Sequence, residues 1–508
     1  MERNEEQKER VQLEFADRRV PLELTAEVTL PDYRSEISRL LWVRPCFLPP
    51  ARFIGGGKAD FSGACRYDIL YTGPDGCLYS ATEEGSYAFS LPLELPALFD
   101  GGAVELCAMP SADAVISRVV GPRRLSVRCR MHARVCGYAD KALGVRMRGE
   151  GERGEEILRL CDLVESRRVV TGGSEQIDLA DSFEMEGGEW RLAATCGEVF
   201  LPEVSVVQDG VLCRGEAVIT LLCCREGDEG APQSVVRRIP FEREVPLECG
   251  ALPDCRARAV GSVAEIRASI EEGRALLDVK VVLATEAQGQ EELALCRDVF
   301  LPGTVGETQY SEETLRRAGV CGNRNFSISE ELGAGDIGLP EGATPLAVLA
   351  DAEVKESAAG EGQTTLMGEM TCHILYYHQG EYGVAERSLP WRVSVDGCCE
   401  ELLTEATVPL CRVTPVREGW RIDAELQLSM RGACRTQVRV LSEVQFTQAQ
   451  PPARADLEIC YPAEGESLWE IGKRYGIAPE ALALANGLSA DAPASAESLS
   501  GVQYLLIP

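Results

Sequence analysis

Several residues on which enzymes, metal proteins and nucleic-acid-binding proteins depend are scarce in this sequence. Histidine occurs three times in 508 residues, as His132, His373 and His378, which disfavours a histidine-based hydrolase or metal site. Basic residues are outnumbered, with Lys+Arg 51 against Asp+Glu 81 and a net charge of −30. Because so acidic a surface repels phosphate groups, we expect neither nucleic-acid binding nor attachment to an anionic membrane.

Long apolar runs and targeting signals are also absent from the sequence. No segment approaches the roughly 18 consecutive apolar residues that a membrane-spanning helix needs, so we expect no membrane span. The first ten residues are highly charged and contain no apolar core. We therefore expect no secretory signal peptide and a protein that stays inside the cell.

Cysteine is abundant, with 21 residues, but the spacing typical of metal and redox motifs is missing. No two cysteines are arranged as C-x-x-C, which zinc knuckles and dithiol motifs need. The adjacent pairs Cys223-Cys224 and Cys398-Cys399 would point to opposite faces of a strand, so they are poorly placed to hold one metal ion. We expect reduced, buried thiols that pack as small apolar side chains, and no metal site.

Catalytic motifs are missing as well. The chain contains no G-x-S-x-G nucleophile elbow. The segment Gly55-Gly-Gly-Lys58 is only partly similar to a phosphate-binding loop, because Ala59 follows the lysine and Arg52 occupies the position of the first glycine. We interpret it as a turn, and we expect no enzyme activity, no catalytic residue and no cofactor.

The length of the chain and a weak internal repeat indicate several domains. A chain of 508 residues predicts about three or four domains. A segment that begins with glycine recurs at Gly63, Gly215 and Gly368, at offsets of 152 and 153 residues. Each copy continues with alternating apolar and mixed side chains, a period typical of a strand that buries one face.

Two further landmarks keep the same order in each copy. An aromatic residue follows each glycine, and we predict that these aromatics are equivalent: Phe89, Phe241 and Trp391. Later in each copy another glycine opens a strand: Gly121, Gly273 and Gly419. These landmarks predict three tandem β-rich domains, at residues 11–157, 158–308 and 309–446. Residues 312–317 are interpreted as a short helical exception, and the proline-rich residues 447–456 as a semi-rigid linker.

The C-terminal segment, residues 457–508, has the signals of two short helices between two strands. Ser467 and Glu470 form a capping box that starts a helix, whose apolar stripe is Leu468, Ile471 and Tyr475. Gly476 is suited to end that helix. A second helix starts at Pro479 and ends at Asn486-Gly487, and residues 501–508 form the last strand.

This segment resembles the LysM family, a βααβ fold. Residues 465–468 stand where the family has its G-D-T-L loop, Asn486 matches the asparagine that ends the second helix, and residues 501–508 match the G-x-x-L-x-I-P ending. Glu466 and Ser467 replace the commoner Asp and Thr, and Ala478 replaces a Ser-type cap. The resemblance implies binding of N-acetylglucosamine polymers such as peptidoglycan.

The predicted ligand or partner site of this module lies on the loop after its first strand, its first helix and the loop after its second helix. Trp469 is about 100° away from the apolar stripe, so we predict that it is exposed and that it contacts a partner together with Lys473. The predicted site comprises Gly465, Glu466, Ser467, Leu468, Trp469, Ile471, Lys473, Ala485, Asn486, Gly487 and Leu488.

The three repeats, taken together with the C-terminal module, resemble a second family. Their glycine-led strands are similar to the SPOCS domain of clostridial spore-coat morphogenetic proteins, in which three SPOCS domains precede a LysM domain. This resemblance implies a non-enzymatic adaptor in the mother-cell cytoplasm, at the forespore surface or in the spore coat. Its implied partner is a SpoIVA-like coat ATPase or another coat protein, bound through the LysM domain.

Two functions from different classes stay open at this point. The first is coat assembly through protein–protein contacts, and the second is binding of peptidoglycan or of its lipid-linked precursor. An enzyme without recognisable motifs is the third and weakest alternative.

Overall fold

The computed structural model describes residues 8–93, 99–149, 157–185, 190–225, 232–247, 254–397, 399–448, 458–489, 495 and 499–508. Within these residues the chain is almost entirely β-strand, and two short helices lie close to the C-terminus. The predicted fold class, mainly β with a small α+β module at the end, is therefore confirmed. In the described part of the chain, no helix has the length and apolar character needed to cross a membrane.

The strands fall into three successive sets and a final module. The first set comprises β1 (Lys8–Thr29), β2 (Arg39–Phe47), β3 (Ala51–Gly55), β4 (Lys58–Thr72), β5 (Leu78–Pro92), β6 (Phe99–Gly121), β7 (Arg124–Gly144) and the short β8 (Arg146–Gly149). The second comprises β9 (Leu158–Glu184), β10 (Trp190–Val206), β11 (Gly210–Arg225), β12 (Gln233–Pro246), β13 (Arg256–Glu271) and β14 (Arg274–Phe300). The third comprises β15 (Thr304–Gly333), β16 (Thr344–Ala359), β17 (Gln363–His378), β18 (Glu381–Asp396), β19 (Glu401–Val416) and β20 (Gly419–Gln448). The module comprises β21 (Glu458–Cys460), α1 (Leu468–Tyr475), α2 (Pro479–Ala485) and β22 (Leu505–Ile507).

Each set forms two antiparallel sheets, and the topology is the same in all three. In one sheet the last long strand lies between the first strand and the one before it, in the orders β1-β7-β6, β9-β14-β13 and β15-β20-β19. In the other sheet the glycine-led strand is central, as in β10-β11-β12 and β16-β17-β18. In the first set, β2 and β3 share one edge of β4 and β5 takes the other.

The two sheets of a set pack face to face through the alternate apolar residues of their strands. In the first set Cys65, Tyr67 and Ile69 of β4 lie in one cluster with Val127 and Cys129 of β7, and all five are almost completely buried. The face predicted to be buried is therefore buried, and Cys65 and Cys129 have the expected role of small apolar side chains. The expectation that the opposite face tends toward solvent was wrong, because Leu70 of β4, Leu222 of β11 and Leu375 of β17 are also almost fully buried, in a cluster shared by the three sets.

The repeated glycines occupy equivalent positions, each opposite an aromatic residue on the neighbouring strand. Gly215 lies opposite Phe241, and Gly368 lies opposite Trp391, as predicted. Gly63, however, lies opposite Tyr87, so the prediction that Phe89 is the equivalent aromatic was wrong. The loop between β4 and β5 is shorter than the loop between β11 and β12, which moves the partner of the glycine towards the start of β5.

Two other sequence interpretations also need comment. Residues 312–317, interpreted as helical, lie inside β15 and pair along their whole length with β20. Pairing with a 30-residue partner strand therefore overrides the local signal in this stretch. Of the predicted linker, residues 447 and 448 complete β20, and residues 449–456 lie outside the described residues.

The three sets also contact one another near the ends of their longest strands. There the paired strands β1–β7, β9–β14 and β15–β20 share apolar clusters, one of which contains Val11, Leu143, Leu293, Leu295, Leu315 and Val440. β8, the last strand of the first set, pairs in parallel with β20 of the third set. Residues 146–149 therefore complete a sheet of the third set, although the predicted boundary assigns them to the first domain; the boundaries themselves stay predictions.

A buried charge cluster also links the second and third sets. The guanidinium groups of Arg258 and Arg431 approach the same oxygen of Glu286, at 2.8 and 3.3 Å, and all three residues are almost fully buried. Burial alone would raise the pKa of Glu286, but the two guanidinium groups outweigh it and hold that pKa well below its usual range.

Candidate functional site

The C-terminal module has the strand–helix–helix–strand order that the sequence predicts. β21 and β22 form a short antiparallel pair, with Ile459 opposite Leu506 and Cys460 opposite Leu505. The two helices pack against the inner face of this pair. Their common core contains Cys460, Leu468, Ile471, Ile477, Leu482, Ala483, Leu499 and Leu505.

The start and the end of α1 follow directly from its sequence. The Ser467 hydroxyl accepts a hydrogen bond from the backbone N–H of Glu470, and the Glu470 carboxylate accepts one from the backbone N–H of Ser467 at 2.9 Å. This is the predicted capping box. Gly476 adopts a left-handed conformation (φ 70°) that ends the helix. Tyr475 packs on the core as predicted, and a hydrogen bond with the Cys460 thiol raises the pKa of its phenol.

Most of the predicted site residues on the first loop and helix have structural roles. Ser467, Leu468 and Ile471 are buried and hold α1 in place. Glu466 accepts a hydrogen bond from the backbone N–H of Ala463 at 2.9 Å and also pairs with an arginine of α1. These contacts shape the loop, and they leave Gly465 at its exposed tip.

Asn486 connects the end of α2 to the last strand. Its side-chain amide donates to the carbonyl oxygens of Leu482 and Leu506, each at 2.8 Å, and its side-chain oxygen accepts from the N–H of Leu506 at 2.7 Å. The Asn486 side chain thus makes the same two hydrogen bonds to Leu506 that the backbone of a neighbouring strand would make. Because its polar atoms are used in this way, Asn486 positions the loop that follows it.

Trp469 is buried, so the prediction that it is an exposed aromatic was wrong. Only 4% of its surface is exposed. Its indole N–H donates to Asp298 Oδ2 at 2.8 Å, and its ring meets Phe300 edge-on, with the ring centres 6.3 Å apart. Both partners belong to the end of β14, in the second set. The off-stripe face of α1 is therefore covered by another part of the same chain.

Lys473 uses the same carboxylate as Trp469. Its ammonium group lies 2.7 Å from Asp298 Oδ1 and 2.8 Å from Oδ2. One turn further on, Gly476 approaches the backbone of Gly303, since a Cβ at Gly476 would lie 3.7 Å from its nitrogen. We call the contact of Trp469 and Lys473 with Asp298 and Phe300 the docking contact. It fixes the module on the junction between β14 and β15.

The loops that contain Gly465 and Gly487 are open. A Cβ added to Gly465 or to Gly487 would meet no atom within 4 Å. Ala485 and Gly487 are exposed, whereas Leu488 packs partly on the core. Of the predicted site residues, Gly465, Ala485 and Gly487 are therefore accessible, whereas Trp469 and Lys473 are engaged in the docking contact.

Two exposed tyrosines next to these loops were missed at the sequence level. Tyr461 follows β21, Tyr504 precedes β22, and 73% and 54% of their surfaces are exposed. The last pair of the ladder is Cys460 opposite Leu505, so Tyr461 and Tyr504 are the residues directly beyond its end on the two strands. We call them the tyrosine pair. The sequence contained a signal for their exposure. Successive strand residues point to opposite faces, so the residues next to the buried Cys460 and Leu505 have to face outwards.

The described residues offer no evident place for a metal ion. Among them, no group of three or more His, Cys, Asp or Glu side chains is arranged to hold one. His132 lies 2.8 Å from Asp113 in the first set. His373 lies 3.7 Å from Glu386 in the third set. These two histidines thus belong to separate parts of the molecule.

Comparison with known proteins supports one part of the sequence interpretation. Residues 463–495 match the LysM domain family, which agrees with the βααβ order and with the capping box. The protein thus contains a LysM domain attached to a large, repetitive β-sheet body. No curated protein and no solved structure matches the chain. The resemblance of residues 11–446 to SPOCS domains found no match and stays a prediction.

Proposed function

We propose that this protein is a non-enzymatic adaptor of the spore envelope, and that its LysM domain binds an N-acetylglucosamine polymer such as peptidoglycan. The observation that carries the proposal is the exposed tyrosine pair beside the open loops at Gly465 and Gly487. The three β-rich sets act as the body that holds this face towards solvent.

The chemistry of the tyrosine pair fits a sugar chain. Tyr461 and Tyr504 offer flat apolar rings with a polar edge, and pyranose rings have apolar C–H faces bordered by hydroxyl and amide groups. The space around the backbone of Gly465 and Gly487 is open to those groups, although the Gly487 N–H already donates to the Leu484 carbonyl oxygen at 3.3 Å. An uncharged glycan is also compatible with a protein whose net charge is −30, because no phosphate has to approach it.

The proposed location and assembly role rest on the order of the domains. Three repeats followed by a LysM domain are the layout of the spore-coat morphogenetic family that the sequence resembles. On this proposal the protein works in the mother-cell cytoplasm at the forespore surface or in the coat. There it links glycan, or a lipid-linked precursor of it, to coat proteins.

A protein partner, such as a SpoIVA-like coat ATPase, is the second candidate ligand of the LysM domain. The docking contact indicates which kind of partner surface α1 could bind. Lys473 and Trp469 bind a carboxylate that lies next to an aromatic ring, so a protein partner would offer the same two groups. A partner that uses the same residues would have to replace Asp298 and Phe300.

Co-sedimentation of the full chain with purified peptidoglycan tests the glycan proposal. We expect the wild type to sediment with peptidoglycan and the double variant Tyr461→Ala/Tyr504→Ala to remain largely in solution. Tyr33→Ala is the matched control, because Tyr33 is also an exposed tyrosine but lies in the first set. Equal sedimentation of the double variant and the control would argue against the tyrosine pair as the glycan site.

A further inference from the structure

Cys161 and Cys296 lie directly opposite each other on the antiparallel strands β9 and β14. Opposite residues of such a pair have Cα atoms about 4.5–5.5 Å apart, which lies within the roughly 4.4–6.8 Å range of disulfides. Their side chains leave the sheet on the same face. The two thiols are therefore placed for a bond that needs only a small adjustment.

Accessibility distinguishes this pair from two other close cysteine pairs. Cys107 lies opposite Cys136 on β6 and β7, and the sulfur atoms of Cys372 and Cys411 are 3.9 Å apart. Each of those pairs includes a buried cysteine and none that is exposed, whereas Cys161 is exposed to solvent and Cys296 is half-buried. A soluble oxidant can thus reach Cys161 directly.

The backbone beside Cys296 is irregular, and it connects this position to the LysM domain. The register of β14 against β9 shifts between Cys296 and Asp298, and the Cys296 thiol donates to the Asp298 carbonyl oxygen at 3.4 Å. A bulge of this kind bends a strand locally and interrupts the regular backbone hydrogen bonds between the two strands. The side chain of Asp298 is the one that holds Trp469 and Lys473.

We propose that Cys161 and Cys296 are a redox modification site that closes to a disulfide when the protein meets a low-molecular-weight disulfide. The Cys161 thiolate attacks the oxidant, forms a mixed disulfide and releases one small thiol. The Cys296 thiol then loses its proton and attacks the Cys161 sulfur, which releases the second small thiol. Two protein thiols are oxidised and one small disulfide is reduced to two thiols.

The two cysteines have different roles in this sequence of steps. Burial raises the pKa of the Cys296 thiol to about 12, so the exposed Cys161 reacts first. Cys296 acts as the resolving group because it lies directly opposite Cys161 and attacks within the same chain. The finished bond would link β9 covalently to β14 beside the docking contact, and it would remove the hydrogen bond that the Cys296 thiol donates to the Asp298 carbonyl oxygen. The strand that carries Asp298, and so holds the LysM domain, would thereby be covalently linked to β9.

Intact-mass analysis of the full chain after exposure to oxidised glutathione tests the proposal. The reduced wild type should lose about 2 Da, corresponding to two hydrogen atoms, and peptide mapping should give one linked pair, Cys161 with Cys296. Cys296→Ser should instead retain one glutathione, a gain of about 305 Da, on Cys161. Cys372→Ser should behave like the wild type.

Three results would overturn the proposal. The first is a wild-type protein that keeps glutathione on Cys161 without forming the internal bond. The second is a disulfide at Cys107–Cys136 or Cys372–Cys411 formed in preference to it. The third is an unchanged mass under native conditions, with both thiols still titratable after denaturation.

Discussion

The Lys473 ammonium group and the Asp298 carboxylate join the LysM domain to the β-rich body, with nitrogen–oxygen distances of 2.7 and 2.8 Å. The same carboxylate accepts the indole N–H of Trp469. Hydrogen bonds to charged groups contribute about 1.5–3 kcal/mol each, and the Lys473 pair contributes less than that because 33% of the lysine side chain is exposed to solvent. A single aspartate on β14 therefore accounts for much of the docking contact.

The first prediction concerns this aspartate. Asp298→Ala should release α1 from β14 and expose Trp469, because the partner of both Lys473 and the indole is removed. Acrylamide quenching of tryptophan fluorescence should increase. The contribution of Trp469 is obtained by repeating the measurement with Trp469→Phe introduced into the wild type and into Asp298→Ala. Asp178→Asn, at an exposed aspartate of β9, is the control. Unchanged quenching of Asp298→Ala would contradict the importance of the docking contact.

The second prediction concerns the repeated glycines. A Cβ at Gly368 would lie 2.1 Å from the Glu353 carbonyl oxygen and 2.3 Å from the Trp391 ring. Gly368→Ala should therefore lower the free energy of unfolding by about 1–3 kcal/mol, as overpacking does. Gly173→Ala, where a Cβ meets nothing within 4 Å, should change it by less than about 0.5 kcal/mol. Urea titrations that find equal midpoints for the two variants would refute this account of the repeat.

The third prediction concerns the buried cluster around Glu286. Its pKa is depressed in the folded protein, so ionised Glu286 stabilises the fold above its unfolded pKa of about 4.3. That contribution is lost as the pH falls towards the depressed folded pKa. Glu286→Gln leaves the buried Arg431 without this carboxylate and Arg258 with only Glu405, 3.2 Å away, as its anion, which should cost about 3–5 kcal/mol near pH 7.

Calorimetry between pH 3 and pH 8 checks this sign. The difference in Tm between the wild type and Glu286→Gln should be largest near neutral pH and should shrink below about pH 4. Glu292→Gln, at an exposed position of the same strand, should leave Tm almost unchanged. A Tm difference that grows as the pH falls would show that the cluster stabilises the fold in another way.

The sequence was most informative where the cause of the structure is local. Alternation around Gly63 and Gly215 predicted the central strands, because a strand with one buried face has to alternate. Ser467 and Glu470 predicted the start of α1, because a capping box needs only residues three positions apart. These signals are complete within short segments of the chain.

Expectations were wrong where the cause lies in a distant part of the chain. Trp469 is off the apolar stripe of α1, and on an isolated helix that position faces water. It is buried because β14, about 170 residues away in sequence, supplies Asp298 and Phe300. Phe89 was misassigned for a related reason, since the length of the β4–β5 loop sets which residue of β5 faces Gly63.

The central claim is that the LysM domain presents the tyrosine pair and its neighbouring loops to glycan while Trp469 and Lys473 are held by Asp298. Calorimetric titration of the full chain with a soluble N-acetylglucosamine oligomer tests it most directly. Wild type and Asp298→Ala should bind with similar Kd, and Tyr461→Ala/Tyr504→Ala should bind at least about 10-fold more weakly, a loss of about 1.4 kcal/mol or more. The account would be contradicted if the wild type did not bind, if the tyrosine variant bound like the wild type, or if binding appeared only after Asp298→Ala had released α1.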